Sequence, residues 1–504
     1  MANEPFLSVH NGHAFDAARC PVTSPDTLRQ SLVAQVANGA RLSAFFGQPQ
    51  ANGSLRLWAV LARSQQGDLA VGCCEVGDEY PAFTPGCQQA HWFEREIAEQ
   101  WHVRPVGHPW LKPIRFQPAR RPGADLWGRK KTTCGVTDFF QMAGEEIHEV
   151  AVGPVHAGVI EPGHFRFQCH GEIVHHLEIS LGYQHRGVER ALVGGPNKRT
   201  IHYLETLAGD TTIGHTHAYC RAIEALSRTR VPARAQVLRG VAAELERIAN
   251  HAGDLGALAG DVGYLPTMSY CGRLRGDVLN MTAVLAGNRF GRGLVRPGGV
   301  AMDLEPRHAE DLLARLDAFD RDIHSAVELL WTTPSVLARF DQTGTLPLDV
   351  CRRIGLVGVA ARACGDEQDV RNEFPYAIYR FASIPVSTWN TGDVFARAYV
   401  RWLEVQRSLS FLREQLASLP EGPIQERAGD LRPGEMAVAL TEGWRGEICH
   451  VAQTGPDGRL ALYKVVDPSL HNWFGLAYAL RNQQISDFPL CNKSFNLSYC
   501  GHDL

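Results

Sequence analysis

The apolar positions of the chain change rhythm partway along it, and that change divides the molecule. In the first hundred residues the apolar runs are short and dense. LRLWAVLARS (residues 55–64) predicts a strand, and GDLAVGCCEV (67–76) predicts a second after a Gly-Asp turn. HWFEREIAEQW (91–101) predicts a short amphipathic helix. The proline-punctuated VGHPWLKPIRF that follows cannot continue it. Beyond Val150, alternation in HFRFQC and EIVHHLEIS predicts strands within residues 151–182. The spacing then moves to three and four, predicting helices within 187–226, 233–260, 307–331 and 392–416. Leu312, Leu316, Phe319, Ile323, Val327 and Leu330 make one such stripe. From Glu442 the pattern returns to short strands and a loop.

This organisation implies an α+β chain: a small α/β domain over residues 1–116, a linker over 117–145, and a large, mainly helical domain with β fringes over 146–504. The linker includes QPARRPGADLWGRKKTT, which is basic and rich in Pro and Gly. Its charge suits a plain connection or a dock for an acidic partner. No repeat or low-complexity segment interrupts the chain.

Composition narrows the function classes. The 504 residues are 44% hydrophobic and 21% charged, with a formal net charge of −4. The pI is about 6.6, and nothing favours nucleic acid as a partner. No apolar run approaches the ~18 residues of a membrane span. The N-terminus MANEPFLSVHNGH lacks the features of a signal peptide. A cytoplasmic chain is the expectation, with any membrane role supplied by partner subunits.

The 13 cysteines are scattered, and none forms a CxxC pair. A disulfide framework or a resident iron–sulfur cluster is not expected. FGRGL, around Gly291 and Gly293, lacks the strand–turn–helix setting of a dinucleotide site. One window invites a metal: His215, His217 and Cys220 fall within six residues of ETLAGDTTIGHTHAYCRAIEAL. On a helix, i and i+2 diverge, so His215 and His217 do not share a face. His217 and Cys220 could, but two ligands are too few for a structural zinc site.

Several motifs carry a resemblance. GPVHAGVIEPGHFRF (153–167), LGYQHRGVERAL (181–192), ELERIANHAGDLGALAGDVGY (244–264) and GLVRPGGV (293–300) resemble the large subunit of energy-converting, formate hydrogenlyase-type [NiFe] hydrogenases. They equally resemble the homologous D-type subunit of respiratory complex I. The likeness continues through DVRNEFPYAIY, TGDVFARAYVR, LPEGPI, WRGEICH and DPSLHNW. WFEREIAEQWHVRPVGHPWLKPIRF (92–116) is similar to the C-type subunit of complex I. The whole chain thus resembles a large subunit in which the C-type and D-type units are fused.

The resemblance implies where a nickel site would lie. Its hydrogenase members hold nickel with two CxxC pairs, because low-valent metal needs soft thiolates. Here the first pair aligns with Ala208 and Thr211, and the second with Ser498 and Gly501; Cys500 is one position off. No nickel is therefore expected. The chain also stops three residues after the last ligand position, so no C-terminal extension is expected for cleavage.

The same resemblance implies other site residues. His164 in EPGHFRF and Asp261 in GDVGY match a histidine–aspartate pair that serves a quinone in complex I, where the histidine can deliver a proton. Pinning of the hairpin is the alternative role for His164. Gly209 stands where complex I has a tyrosine, and Tyr203 and Tyr219 are out of register. Glu161 matches a proton-passing glutamate of hydrogenases; a turn residue facing solvent is its alternative. His156, His215, Asp369 and Arg371 are further cavity candidates, with Asp369 and Arg371 also suited to a buried pair holding a loop. His175 and His176 alternate on a strand and are not site candidates.

Three functions remain. The first is the large hydrophilic subunit of a membrane-bound complex, passing electrons from a [4Fe–4S] cluster in a partner small subunit to a quinone-like acceptor, coupled to ion translocation. Its further partners would be antiporter-like and quinone-channel-type membrane subunits, with the chain peripheral on the cytoplasmic face of the inner membrane. The second is a non-catalytic scaffold or coupling subunit of the same complex. The third is a working hydrogenase with altered ligands. No cofactor is expected in the chain itself.

Overall fold

The computed structural model describes residues 4–121, 125–156, 158 and 160–504. Parts of the linker (122–124), of the GPVHAGVIEPGHFRF motif (157 and 159) and of the N-terminus (1–3) lie outside the described residues. The N-terminal region is built on a five-stranded sheet of β1 (Leu7–Val9), β3 (Val22–Thr23), β4 (Arg41–Pro49), β5 (Leu55–Arg63) and β6 (Asp68–Val76). Its main order is β1-β6-β5-β4, antiparallel throughout, with β3 parallel to β6. Helices α1 (Pro25–Ala37) and α2 (His91–Trp101) accompany it. The strands at 55–64 and 67–76 and the helix at 91–101 thus fall where the pattern put them.

β2 (Ala14–Asp16) leaves this region and pairs with a distant sheet made of β10 (Glu435–Gly443), β11 (Gly446–Thr454) and β12 (Leu460–Val466), in the order β12-β11-β10-β2. That sheet is buried on both faces. Met436, Val438 and Leu440 pack on the N-terminal core, while Ala437 and Ala439 pack on the helices. Two buried faces explain why the strand is almost continuously apolar rather than alternating. The expected short strands and loop are instead strands of seven to nine residues followed by helices, α8 (Pro468–Ala479) among them.

The helical core consists of α3 (Thr212–Ser227), α4 (Ala233–Asp261), α5 (Leu265–Ala286), α6 (Pro306–Thr332) and α7 (Val394–Ala417). The α6 stripe is buried throughout. Residues 187–211, predicted helical, form only two five-residue helices joined by loops. α5 has no counterpart among the predicted elements. Its buried face repeats at three and four through Cys271, Leu274, Val278, Met281 and Leu285, but Pro266, Gly272 and Gly276 weaken the signal.

A third sheet, β9-β8-β7, comprises β7 (Ile147–Val152), β8 (His164–His170) and β9 (Ile173–Ser180), packed with α8. The basic segment is fastened at several points. Arg120 reaches Glu189 at 3.5 Å, Arg121 reaches Asp78 at 3.2 Å, and Arg129 holds Asp125 at 2.7 Å. Among the described residues no helix is long and apolar enough to cross a membrane.

Candidate functional site

The two chain segments at the would-be ligand positions meet. The first is the loop before α3, with Ala208, Gly209 and Thr211. The second is the C-terminal helix Tyr499–Asp503, capped by Ser498. The Ser498 hydroxyl accepts from the Gly209 amide at 3.2 Å and from the Gly501 amide at 3.0 Å, so one side chain ties both segments. Thr211 Oγ1 donates to Gly209 O at 3.0 Å and accepts from Trp444 Nε1 at 3.1 Å.

Two cations stand here: Arg186 donates to Leu207 O at 2.9 Å and Cys500 O at 3.4 Å, and Arg445 lies deeper. It comes from the turn between β10 and β11 and stacks 3.8 Å from the Trp444 ring. Its guanidinium donates to Gly209 O at 2.7 Å, Thr211 Oγ1 at 3.2 Å and Asn496 O at 2.5 Å. Burial lowers its pKa, while Asp467, Asp254, Glu161 and Asp210 oppose the shift. A guanidinium keeps its charge even so, and the site therefore carries a fixed positive charge.

Asp467 takes the space beside Gly501. A Cβ on Gly501 would stand 2.7 Å from Asp467 Cγ, closer than atoms can approach. Asp467 caps α8 through the Ser469 amide at 2.9 Å and accepts from His215 Nε2 at 2.9 Å. His215 Nδ1 lies 3.0 Å from His450 Nε2, and His450 Nδ1 lies 2.8 Å from Tyr463 OH. These four buried groups form one hydrogen-bonded chain ending at the site. Burial pushes the Asp467 carboxyl up, but His215 and Arg445 hold it below the ordinary value. Burial holds His450 well below its own.

Glu161 joins the same place from the β7–β8 hairpin. Its Oε2 accepts from the Tyr499 amide at 3.0 Å. Burial pushes the Cys500 thiol up to about 12, and the neighbouring Glu161 carboxylate adds to the rise.

The other predicted residues do not converge here. His164 and Asp261 form no pair, which corrects the expected histidine–aspartate couple. His164 Nδ1 bonds Gly153 O at 3.2 Å, and Arg166 Nε donates to its Nε2 at 3.1 Å. Both ring nitrogens are thus spent on the hairpin, and burial lowers the pKa. Asp261 sits at the exposed end of α4. His156 likewise closes the hairpin through Gly163 O at 2.9 Å.

Asp369 and Arg371 form a buried pair at 2.6 Å, and Arg371 continues to Glu244 at 3.1 Å. His215, His217 and Cys220 diverge: His217 stands edge-on to Tyr376, and Cys220 lies in the helical core. Sequence reasoning missed Arg445, Asp467, His450 and Tyr463. Arg445 and His450 lie in WRGEICH and Asp467 opens DPSLHNW, so two of the quoted motifs held the signal without saying which side chains turn inward.

Fold and site together define a large-subunit scaffold in which paired loops close on a buried arginine. Residues 261–435 match the family of the respiratory-chain NADH dehydrogenase 49 kDa subunit. The carbon monoxide-induced hydrogenase of Rhodospirillum rubrum is 31% identical over 350 residues, 69% of this chain and 97% of that protein. Formate hydrogenlyase subunit 5 of Escherichia coli is 29% identical over 435 residues, covering 84% of this chain and 76% of that one. The D-type subunit of NADH-quinone oxidoreductase from Dehalococcoides mccartyi is 29% identical over 339 residues, 67% and 92% respectively. The chain belongs to the family of the complex I 49 kDa subunit and [NiFe] hydrogenase large subunits.

Proposed function

We propose that this chain is the nickel-free large subunit of a membrane-associated, complex I-like oxidoreductase related to energy-converting hydrogenases, and that it serves there as a coupling subunit rather than a site of catalysis. It would dock a small subunit that holds a [4Fe–4S] cluster and sit on membrane subunits of antiporter-like and quinone-channel type. One observation carries this reading: Ser498 ties the two would-be ligand loops together while Arg445 donates to both.

Nickel does not fit this donor set. Ala208 and Gly501 offer no donor atom, and the hydroxyls of Thr211 and Ser498 are hard and already hydrogen-bonded. One thiol, Cys500, is present where four soft thiolates are needed. The fixed charge of Arg445 instead suits electrostatic coupling: a change of charge at the docked partner would be felt at Arg445 and passed along Asp467, His215 and His450.

Quinone reduction is the second reading. Val155 is 72% exposed and Ile160 52% exposed on the hairpin that carries Glu161 and His156. That apolar tip suits a quinone tail, although His164 and Asp261 cannot act as its proton-donating pair in this arrangement.

The purified complex tests both readings. Supplied with deuterium gas, it should form no HD above a protein-free control. A photoreactive quinone analogue should label other subunits and leave residues 153–164 and 496–504 unlabelled. HD formation in proportion to this chain contradicts the nickel-free reading. Label on the hairpin contradicts the coupling reading and favours quinone reduction.

A further inference from the structure

A buried ionic network lies outside the site described so far. Arg362 reaches Glu442 at 2.8 Å and Glu404 at 2.6 Å. Arg371 binds Asp369 and Glu244, and Arg247 binds Glu244 at 3.0 Å. Across the sheet, Arg41 sits between Glu447 and Glu373, the latter at 3.2 Å. The carboxylates are Glu244, Asp369, Glu373, Glu404, Glu442 and Glu447; the guanidiniums are Arg41, Arg247, Arg362 and Arg371. Every carboxylate has an arginine partner, but six against four leaves these groups with an excess of two negative charges.

The remaining neighbours do not balance them. His251 donates to Glu404 at 2.8 Å, yet burial lowers its pKa, and its Nδ1 is buried without a partner. His471, beside Glu447, is held near a pKa of about 4 by burial. Arg407, partly exposed at the rim, gives its Nη1 to Pro385 O and offsets the excess only in part, through its electrostatic reach to Glu404 and Asp369. Tyr379 and Ser408 donate to Glu244, and the Glu442 amide is bonded to Tyr376 OH.

Two features locate the excess. Glu442 and Glu447 stand directly opposite each other in the β10–β11 register, so both side chains leave the same face. Like charges so placed repel unless a proton is shared. Glu447 is 2% exposed, its carboxylate held by Arg41 at Oε2 with the buried Ser43 hydroxyl beside it. The network also has an opening to solvent. A cleft of about 1030 Å³ between the N-terminal region and residues 352–373 is lined by Arg41, Ser64, Gln65, Gln89, Gln368 and Glu373.

We propose that the opposed pair Glu442 and Glu447 holds one exchangeable proton, taken up from water in the cleft by way of Glu373. The step is a proton transfer alone, from water or hydronium to a carboxylate oxygen. Burial pushes Glu442 up to about 7, and Asp369 adds to the rise against the pull of Arg362. Arg41 holds Glu447 below its ordinary value despite burial, which assigns the proton to Glu442. Arg247 clamps the carbonyls of Glu442 and Gly443 at 2.8 and 3.1 Å, two residues before Arg445. Occupancy of the proton site therefore acts on the strand end that carries Arg445. None of this depends on the absence of nickel.

Infrared spectroscopy of the full chain, titrated from about pH 5 to about pH 9, reads the proton directly. In a Glu246→Gln background, which silences the other buried carboxyl raised past neutrality, the expected result is a buried protonated-carboxyl C=O band that is lost as pH rises through neutrality and is missing when Glu442→Gln is added. Hydrogen–deuterium exchange of that band should slow at least severalfold in Glu373→Gln, which tests the route and serves if Glu442→Gln does not fold. A wild-type protein without the band at the acid end overturns the proposal. So does a band that persists undiminished when Glu442→Gln is added to the folded Glu246→Gln protein, or one whose exchange is unchanged by Glu373→Gln.

Discussion

Replacing Gly501 by alanine should destabilise the protein, although alanine normally favours a helix by up to ~1 kcal/mol over glycine. The added Cβ would lie 2.7 Å from Asp467 Cγ, so the carboxylate must move. Moving it breaks the 2.9 Å bond from His215 and the 2.9 Å cap on Ser469. A hydrogen bond to a charged group contributes about 1.5–3 kcal/mol and a helix cap about 1 kcal/mol. After subtracting the helix gain, the net cost is roughly 1.5–3 kcal/mol. Asp467→Ala should cost about as much or slightly more, since it also removes the carboxylate with the largest electrostatic influence on Arg445.

The double variant separates this reasoning from general intolerance. With Asp467 shortened, the Cβ at 501 has room, so the two costs should not add. The cycle should return a coupling of about 2 kcal/mol, read from urea denaturation of the four proteins. Costs that add within about 0.5 kcal/mol refute the clash, as does a Gly501→Ala protein as stable as wild type. The cycle also bears on the nickel reading: a cysteine cannot be put back at 501 until Asp467 has gone.

Three further outcomes follow from buried groups elsewhere. Arg239→Met leaves Glu224 buried without its 2.6 Å partner and should cost about 3–5 kcal/mol in denaturant unfolding; a loss below about 1 kcal/mol refutes the pairing. Burial pushes Glu246, which accepts from the Ile213 and Gly214 amides, up to about 8. Its raised value adds stability that is fully present below the ordinary carboxylate range and lost as pH rises through about 8. Between those limits wild type should therefore lose stability relative to Glu246→Gln, and parallel pH profiles would contradict the burial argument. The Cys500 thiol, raised to about 12, should react with iodoacetamide near pH 8 about a thousandfold more slowly than an ordinary exposed thiol, as peptide mass spectrometry can measure.

Much of the scaffold was legible in the sequence because burial imposes periodicity. The α6 stripe of Leu312, Leu316, Phe319, Ile323, Val327 and Leu330 is an unbroken instance. α5 carried the same spacing but was masked by Pro266 and two glycines, whose low intrinsic preference is overridden by packing against α4 and α6. The pairing of β2 with β10 joins residues some 420 positions apart, and no local pattern encodes it.

The site was legible in position but not in chemistry. The loop of Ala208 and Thr211 meets the segment of Ser498 and Gly501, because the Ser498 hydroxyl accepts from the Gly209 and Gly501 amides. His164 failed to meet Asp261 for a local reason. Arg166 lies two residues along the same strand, hence on the same face, and captures the imidazole before a distant carboxylate can. Arg445 and Asp467 were invisible as site residues because neither is a ligand type at an expected ligand position; only folding brings the guanidinium between the loops.

Elemental analysis of the purified intact complex, normalised to this chain, tests directly whether this large subunit holds nickel. Nickel should stand at the background of a metal-free control protein. About one nickel per chain would contradict the nickel-free reading, and would require donors other than the thiolates that such a metal demands.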